Sequence, residues 1–139
     1  MTADPAETLR SLMPFAATLG IDVLRYDAAE VRVRLGWAPE LCTAGGALHG
    51  GAVMALADSA GGACAYLNLP PGAAGTTTVE SKTNFLRAVR DGYIEASARP
   101  LHTGRTLIVV ETDVRDARQR LAAKVTQSQL VLTGTGEHR

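Results

Sequence analysis

The chain has 139 residues, 46% of them hydrophobic, and its 14 basic side chains balance its 14 acidic ones. That length suits one domain spanning residues 1–139, because it can bury a real core but leaves no room for a second. Zero net charge and the lack of a Lys/Arg cluster interleaved with aromatic residues argue against nucleic acid or a membrane as a partner.

The first segment carries the signals of a helix start. Asp4 can act as the N-cap, Pro5 takes the first helical position, and Glu7 follows three residues after the cap. Hydrophobic residues at helical spacing come next: Leu9, Leu12 and Met13. Pro14 breaks or restarts this helix. The first residues lack the basic and apolar regions of a signal peptide, so we expect a cytoplasmic protein.

Hydrophobic periodicity predicts two strands and then the main helix. Residues 21–26 and 31–35 alternate with a period of two, which is typical of strands with one solvated face. After a Gly/Ala-rich loop at 41–47 the period becomes helical. The residues at helical spacing are Val53, Leu56, Ala57, Ala60, Cys64 and Leu67. The Pro-Pro-Gly sequence at 70–72 ends this helix.

The second half predicts four more strands, at 76–86, 93–101, 106–114 and 121–132, separated by turns at 91–92, 103–104 and 116–118. We expect these strands to be antiparallel, because a parallel crossover needs about a dozen residues or more. One nearly apolar helix with strands on both sides predicts an α+β fold in which an antiparallel sheet curls around that helix.

Two glycines, Gly61 and Gly62, lie inside the predicted main helix. Each costs about 1 kcal/mol relative to alanine in helix propensity. We therefore expect something to approach the helix closely there. A neighbouring backbone and a ligand are the two alternatives, and a second copy of the helix packed alongside is compatible with both.

Asp58 is the only formal charge between Glu40 and Glu80. A lone carboxylate in so apolar a run is costly to bury, and catalysis is the explanation that we favour. The alternative is a structural role, either capping a neighbouring segment or forming an ion pair with Lys82 or with an arginine from elsewhere.

The predicted helix begins at His49-Gly50-Gly51, where the first amides have no partner within the helix. Such amides and the helix dipole can stabilise a carbonyl oxygen that gains negative charge. Asp58 lies eight residues beyond Gly50, about 12 Å along the axis. One chain cannot bring both groups to one carbonyl, so a shared reaction implies a dimer in which a partner subunit supplies the carboxylate.

Other site signatures are weak. His102 and His138 stand alone, without metal-ligand spacing, so we expect no metal. Cys42 and Cys64 form no C-x-x-C pair and are interpreted as small buried residues. The chain has no G-x-S-x-G elbow and no nucleotide-binding fingerprint, and we expect no cofactor.

Several motifs together resemble a known family. They are Leu48-His49-Gly50-Gly51, Asp58 nine residues after the histidine, Asn-Phe-Leu-Arg at 84–87 and Thr-Gly-Arg-Thr at 103–106. This pattern, from about residue 15 to residue 132, resembles the PaaI-like branch of the hotdog-fold acyl-CoA thioesterases. The resemblance implies a curled antiparallel sheet wrapped around a long helix, edge-to-edge homodimers, and homotetramers formed from them.

The resemblance also implies roles for individual residues. Asp58 would be the general base or nucleophile, the Gly50 amide would polarise the thioester carbonyl, and Gly51 would lie against the substrate. Thr43 stands where the family usually carries Asn or Gln, and its hydroxyl has a shorter reach and one donor hydrogen. Thr78 matches a hydroxyl that some relatives place near the acid, with Thr77 as the alternative.

Two roles stay open at this stage. His49 either orients the loop before the helix or lies next to the substrate. The phosphates of coenzyme A could meet one of several cations, of which Arg105 is the first choice; the others are Lys82, Arg87, Arg90 and Arg99.

We expect hydrolysis of an acyl- or aryl-CoA thioester to a carboxylic acid and free coenzyme A. A non-catalytic acyl-CoA binding protein is the alternative that Thr43 makes credible. A hydratase or dehydratase is a third, less favoured because His49 lies about 14 Å along the helix axis from Asp58.

Overall fold

The computed structural model describes residues 3–134. Its helices and strands are α1 (Pro5–Leu12), α2 (Pro14–Leu19), β1 (Asp22–Tyr26), β2 (Val31–Gly36), α3 (Gly50–Leu67), β3 (Ala73–Phe85), β4 (Tyr93–Thr103), β5 (Leu107–Asp116) and β6 (Leu121–Thr133). Two single-turn 3₁₀ helices, Pro39–Leu41 and Ala44–Gly46, lie in the loop before α3. The predicted elements are all present, with bounds within about three residues of those expected.

The N-terminal segment folds as two short helices. The Asp4 carboxylate accepts a hydrogen bond from the Ala6 amide at 3.1 Å, so the predicted N-cap is confirmed. Pro14 restarts the helix rather than ending it, because proline is well suited to the first position of α2. Gly20, at φ 72°, ends α2 in the left-handed conformation that glycine adopts without strain.

The six strands form one antiparallel sheet in the order β1-β2-β4-β5-β6-β3. The expectation that a tight turn at 91–92 joins two neighbouring strands is wrong, because β3 and β4 are not adjacent in the sheet. Instead β3 pairs with β6 along its whole length, from Ala73 opposite Thr133 to Phe85 opposite Ala123. Residues 86–92 therefore cross the end of the sheet, and β3 becomes an edge strand of 13 residues.

Helix α3 packs across the inner face of this sheet. Of its predicted apolar positions, Leu67 at the end of the helix is partly buried and the others are buried: Val53, Leu56, Ala57, Ala60 and Cys64. They meet the inward side chains of the central strands β2, β4 and β5, where alternate residues are buried. Among the helices of residues 3–134, none is long and apolar enough to cross a membrane.

A buried glutamine explains one of the two glycines in α3. Gln127, on β6, is fully buried and its amide group lies against Gly61. A Cβ at residue 61 would lie 2.5 Å from the Gln127 Cδ atom and 2.8 Å from its Nε2. The close approach expected at this helix is confirmed, but the neighbour is a side chain of the same subunit rather than a backbone or a ligand.

A buried carboxylate ties the outer strands together. Glu30 lies just before β2, is 1% exposed, and accepts hydrogen bonds from Arg25, Arg32, Arg99 and the Ser97 hydroxyl. Burial alone would raise the pKa of its carboxyl, but the Ser97 hydrogen bond and the arginine charges outweigh it and lower the pKa. Glu30 thus remains ionised while it joins β1, β2 and β4.

Candidate functional site

The first turn of α3 holds one engaged amide and one free amide. His49 has the extended backbone of an N-cap, and its Nδ1 accepts a hydrogen bond from the Gly51 N–H at 2.8 Å. The Gly50 N–H has no acceptor among residues 3–134. His49 therefore orients the loop and caps the helix, while Gly50 keeps the donor that a substrate oxygen could use.

Gly50 also lines a groove, which we call the Gly50 groove. Its volume is about 390 Å³ and its walls include Gly50, Val53, Phe85, Leu86 and the chain from Arg87 to Val89. The Phe85 ring lies 3.2 Å from the position that a Cβ on residue 50 would take. Glycine at this position leaves the space through which a flat carbonyl group can reach the backbone N–H.

Asp58 lies in a separate recess of about 440 Å³, which we call the Asp58 cleft. Asp58, Gly62 and Tyr66 lie four residues apart on one face of α3, and all three line the cleft. The start of β3, from Gly75 to Thr78, forms the opposite wall. The Asp58 cleft and the Gly50 groove share no lining residue, as the 12 Å separation along the helix predicts.

The carboxyl group of Asp58 is tuned by two opposing effects. Desolvation by the walls of the cleft raises its pKa, and the nearby Thr78 hydroxyl partly offsets that rise. Asp58 is exposed at the mouth of the cleft in the single subunit. No ion pair joins it to Lys82 or to any arginine within residues 3–134, so the ion-pair alternative for this residue loses its support.

A third residue holds the Thr78 hydroxyl in place. Gln129, on β6, is 1% exposed and donates from Nε2 to the Thr78 Oγ1 at 2.6 Å. Because Thr78 accepts this hydrogen bond, its own hydrogen is free to point at the Asp58 carboxylate. Thr77 also lines the cleft, but it is Thr78 that bonds to Gln129 and lowers the Asp58 pKa.

Sequence reasoning missed several walls of the Asp58 cleft. Leu12 and Met13 come from the end of α1 and the residue after it, Tyr26 ends β1, and Tyr66 lies on α3. Gln129 was also missed, although a glutamine at an inward position of a predicted strand is an available signal, since inward positions are normally apolar.

Two of the predicted site residues lie elsewhere. Thr43 is exposed in the loop before α3, and its backbone N–H donates to Ala47 O at 2.8 Å. Arg105 is exposed in the β4–β5 hairpin. Neither lines the Asp58 cleft or the Gly50 groove of its own subunit.

The cysteines and histidines form no site of their own in the described chain. Cys64 is fully buried, and burial raises the pKa of its thiol to about 11, which disfavours the reactive thiolate. Cys42 is only half-buried, so its expected burial is wrong in degree. Within residues 3–134 no three His, Cys, Asp or Glu side chains come together as a metal site, and His138 lies outside the described residues.

Comparison with known proteins agrees with this geometry. A protein of Saccharolobus solfataricus named "Putative esterase SSO2140" is 32% identical over 82% of this chain and 80% of its own length. The structure of thioesterase HI1161 from Haemophilus influenzae matches with a TM-score of 0.88 and 25% identity, over 99% of this chain and 97% of that one.

The PaaI protein of E. coli shares the fold, with a TM-score of 0.84 at 22% identity over 94% of this chain and 92% of that one. The sheet curled around one long helix is therefore the hotdog fold that the sequence predicts. Residues 45–123, which carry α3 and its first amides, Asp58 and most of the sheet, match the family model described as Thioesterase superfamily. This chain belongs to the thioesterase superfamily.

Proposed function

We propose that this protein hydrolyses an acyl- or aryl-CoA thioester, using Gly50 of one subunit and Asp58 of its partner. The observation that carries the proposal is the division of the two groups between separate recesses of one subunit. A free amide and a carboxylate that serve one carbonyl must then come from two copies of the chain.

The edge strand β3 supports this arrangement. It is 13 residues long, largely exposed, and has no neighbour on its outer side in the single subunit. A long unpaired edge is a template for pairing with a second copy. Antiparallel pairing about its midpoint, Val79, brings the Phe85 end of one strand to the Ala73 end of the other.

That pairing joins the two recesses. The Gly50 groove contains Phe85, and the partner's Asp58 cleft is walled by the beginning of its own β3. The two recesses then meet at a composite site, and the two-fold axis generates it twice. Further pairing of dimers into a tetramer, which the family resemblance implies, is part of the same proposal.

The chemistry follows from the groups at the junction. The thioester oxygen accepts a hydrogen bond from the Gly50 N–H, where the positive end of the helix dipole stabilises developing negative charge. On the opposite face, the ionised Asp58 carboxylate removes a proton from an attacking water or attacks the carbonyl itself. The carbon–sulfur bond breaks, coenzyme A leaves as the protonated thiol, and the net addition of water gives the carboxylic acid.

The first test is thiol release from aryl, short-chain and long-chain acyl-CoA substrates by wild type and Asp58→Asn. We expect the variant to stay folded and dimeric and to lose at least about a hundredfold in turnover, since a placed base contributes 10²–10⁴ in rate. The matched control is Asp22→Asn, which removes an exposed carboxylate that only touches Arg10 at 3.4 Å, and it should retain full turnover.

A mixing experiment tests the composite site. Gly50→Pro removes the amide hydrogen at a first helical position, where the backbone accepts proline because His49, at ψ 136°, already has the conformation that precedes it. The proline ring also takes the space beside Phe85, so this variant blocks the Gly50 half of the site in two ways. Refolding Asp58→Asn with Gly50→Pro subunits should restore about a quarter of wild-type activity, because half of the dimers are mixed and each has one intact site.

Two outcomes would redirect the proposal. No recovery on mixing inactive variants would contradict a site shared between subunits. Saturable acyl-CoA binding with no thiol release on the whole panel would favour the non-catalytic binding protein, which Thr43, in place of the usual Asn or Gln, makes credible.

A further inference from the structure

We propose that a groove lined by arginines, next to the Gly50 groove, binds the phosphates of the nucleotide end of coenzyme A. This inference rests on the proposed function and extends it to the part of the substrate that carries the charge. The groove has a volume of about 360 Å³ and is lined by Arg87, Arg90, Arg118 and Arg120 together with Asp91 and Asp116. We call it the arginine groove.

Two separate loops build the arginine groove. Arg87, Arg90 and Asp91 lie in the crossing segment between β3 and β4, and Arg118 and Arg120 lie in the turn between β5 and β6. Four arginines therefore line one recess from segments about thirty residues apart in the sequence.

The charges in the arginine groove do not cancel. Asp116 is 4% exposed, accepts from the Arg118 and Arg120 amides at 3.0 and 2.9 Å, and pairs with the Arg120 Nε at 2.8 Å. This carboxylate is thus committed to holding the turn. Arg87, Arg90 and Arg118 make no salt bridge within residues 3–134, and only Asp91 opposes them.

An excess of free guanidinium groups in a concave site favours phosphate. Each guanidinium presents a planar fork of donors that matches phosphate oxygens with paired hydrogen bonds. Coenzyme A ends in a diphosphate and a ribose 3′-phosphate, so its nucleotide end supplies more than one such group. Neutral or cationic ligands would leave these charges uncompensated.

The arginine groove adjoins the Gly50 groove. The chain from Arg87 to Val89 lines both. The Leu48 N–H donates to Val89 O at 2.8 Å and so fixes this segment beside the start of α3. A thioester held at the Gly50 amide can therefore run its extended arm past Phe85 and Leu86 and place its phosphates among the arginines.

The predicted phosphate ligand Arg105 competes with this assignment. Arg105 lies on the β4–β5 hairpin and lines neither the Gly50 groove nor the arginine groove of its own subunit. Substituting Arg105 and the arginines of the groove in separate variants distinguishes the two assignments.

The experiment compares wild type with the double variant Arg90→Gln/Arg118→Gln and with Arg105→Gln. The matched control is Arg10→Gln, which removes an arginine on α1 that donates hydrogen bonds to Ile21 O and Asp22. Each is assayed with an acyl-CoA and with the same acyl group on N-acetylcysteamine, which has no phosphate. We expect the double variant to raise KM for the acyl-CoA at least about tenfold, with kcat and the N-acetylcysteamine reaction unchanged. The effect should shrink as ionic strength rises.

Calorimetry with adenosine 3′,5′-bisphosphate measures the same site without turnover. Binding by wild type that is lost in Arg90→Gln/Arg118→Gln would support the arginine groove even if no thioester is hydrolysed, in which case only the proposed function fails. Thioester hydrolysis with unchanged KM in the double variant would overturn the arginine groove and leave the function standing. A rise in KM confined to Arg105→Gln would overturn the arginine groove and assign the phosphates to Arg105 on the β4–β5 hairpin.

Discussion

The two adjacent glycines of α3 should respond to alanine with opposite signs. At residue 61 the new Cβ would lie 2.5 Å from Gln127 Cδ, whereas carbon atoms pack best at about 3.5–4.0 Å. The side-chain amide of Gln127 must therefore move away by about 1 Å, although Gln127 is fully buried. At residue 62 the new Cβ would lie 3.5 Å from Met13 Cε, which is ordinary contact.

These distances set the expected free energies. Both substitutions gain about 1 kcal/mol in helix propensity. Only Gly61→Ala also overpacks the core, at a cost of about 1–3 kcal/mol. We expect Gly62→Ala to raise the free energy of unfolding by about 0.5–1 kcal/mol, and Gly61→Ala to lower it by about 1 kcal/mol.

Urea unfolding followed by far-UV circular dichroism measures both, at one fixed protein concentration because self-association contributes to stability. A double-mutant cycle isolates the contact: in a Gln127→Ala background the amide is gone, and Gly61→Ala should become neutral or stabilising. If Gly61→Ala stabilises the wild-type protein as much as Gly62→Ala does, the buried glutamine is not what requires glycine there.

Two further predictions concern the titrating groups. Gln129→Leu releases the Thr78 hydroxyl, so the Asp58 pKa should rise further and the acidic limb of the kcat/KM profile should move to higher pH. The control is Gln127→Leu, an equally buried change on the same strand, which should leave that limb in place. An identical shift in both variants would refute the role of Gln129. Glu30 has a folded pKa below its ordinary 4.5, so its contribution to stability is present above pH 4.5 and disappears as the pH falls through the folded value. Glu30→Gln should therefore lower the free energy of unfolding at pH 7 by about 2–4 kcal/mol and flatten its acid dependence, and an unchanged urea midpoint at both pH 7 and pH 4 would contradict this.

Local patterns in the sequence were enough to predict most of the fold. Alternation along β2 and the helical spacing from Val53 to Leu67 report directly which side of each element is buried, because the strand and helix periods are properties of the backbone. The separation of Gly50 from Asp58 was equally accessible, since it follows from the rise of a helix. These are statements about residues close together in the chain.

Contacts between distant segments were decided only by the tertiary structure. The pairing of β3 with β6 rather than β4 depends on how residues 86–92 cross the sheet, and turn residues do not specify that path. The same holds for Gln127 against Gly61 and Gln129 against Thr78, which join residues about fifty or more apart. A sequence lists the polar groups that need partners, but only the packed sheet and helix determine which partner each one meets.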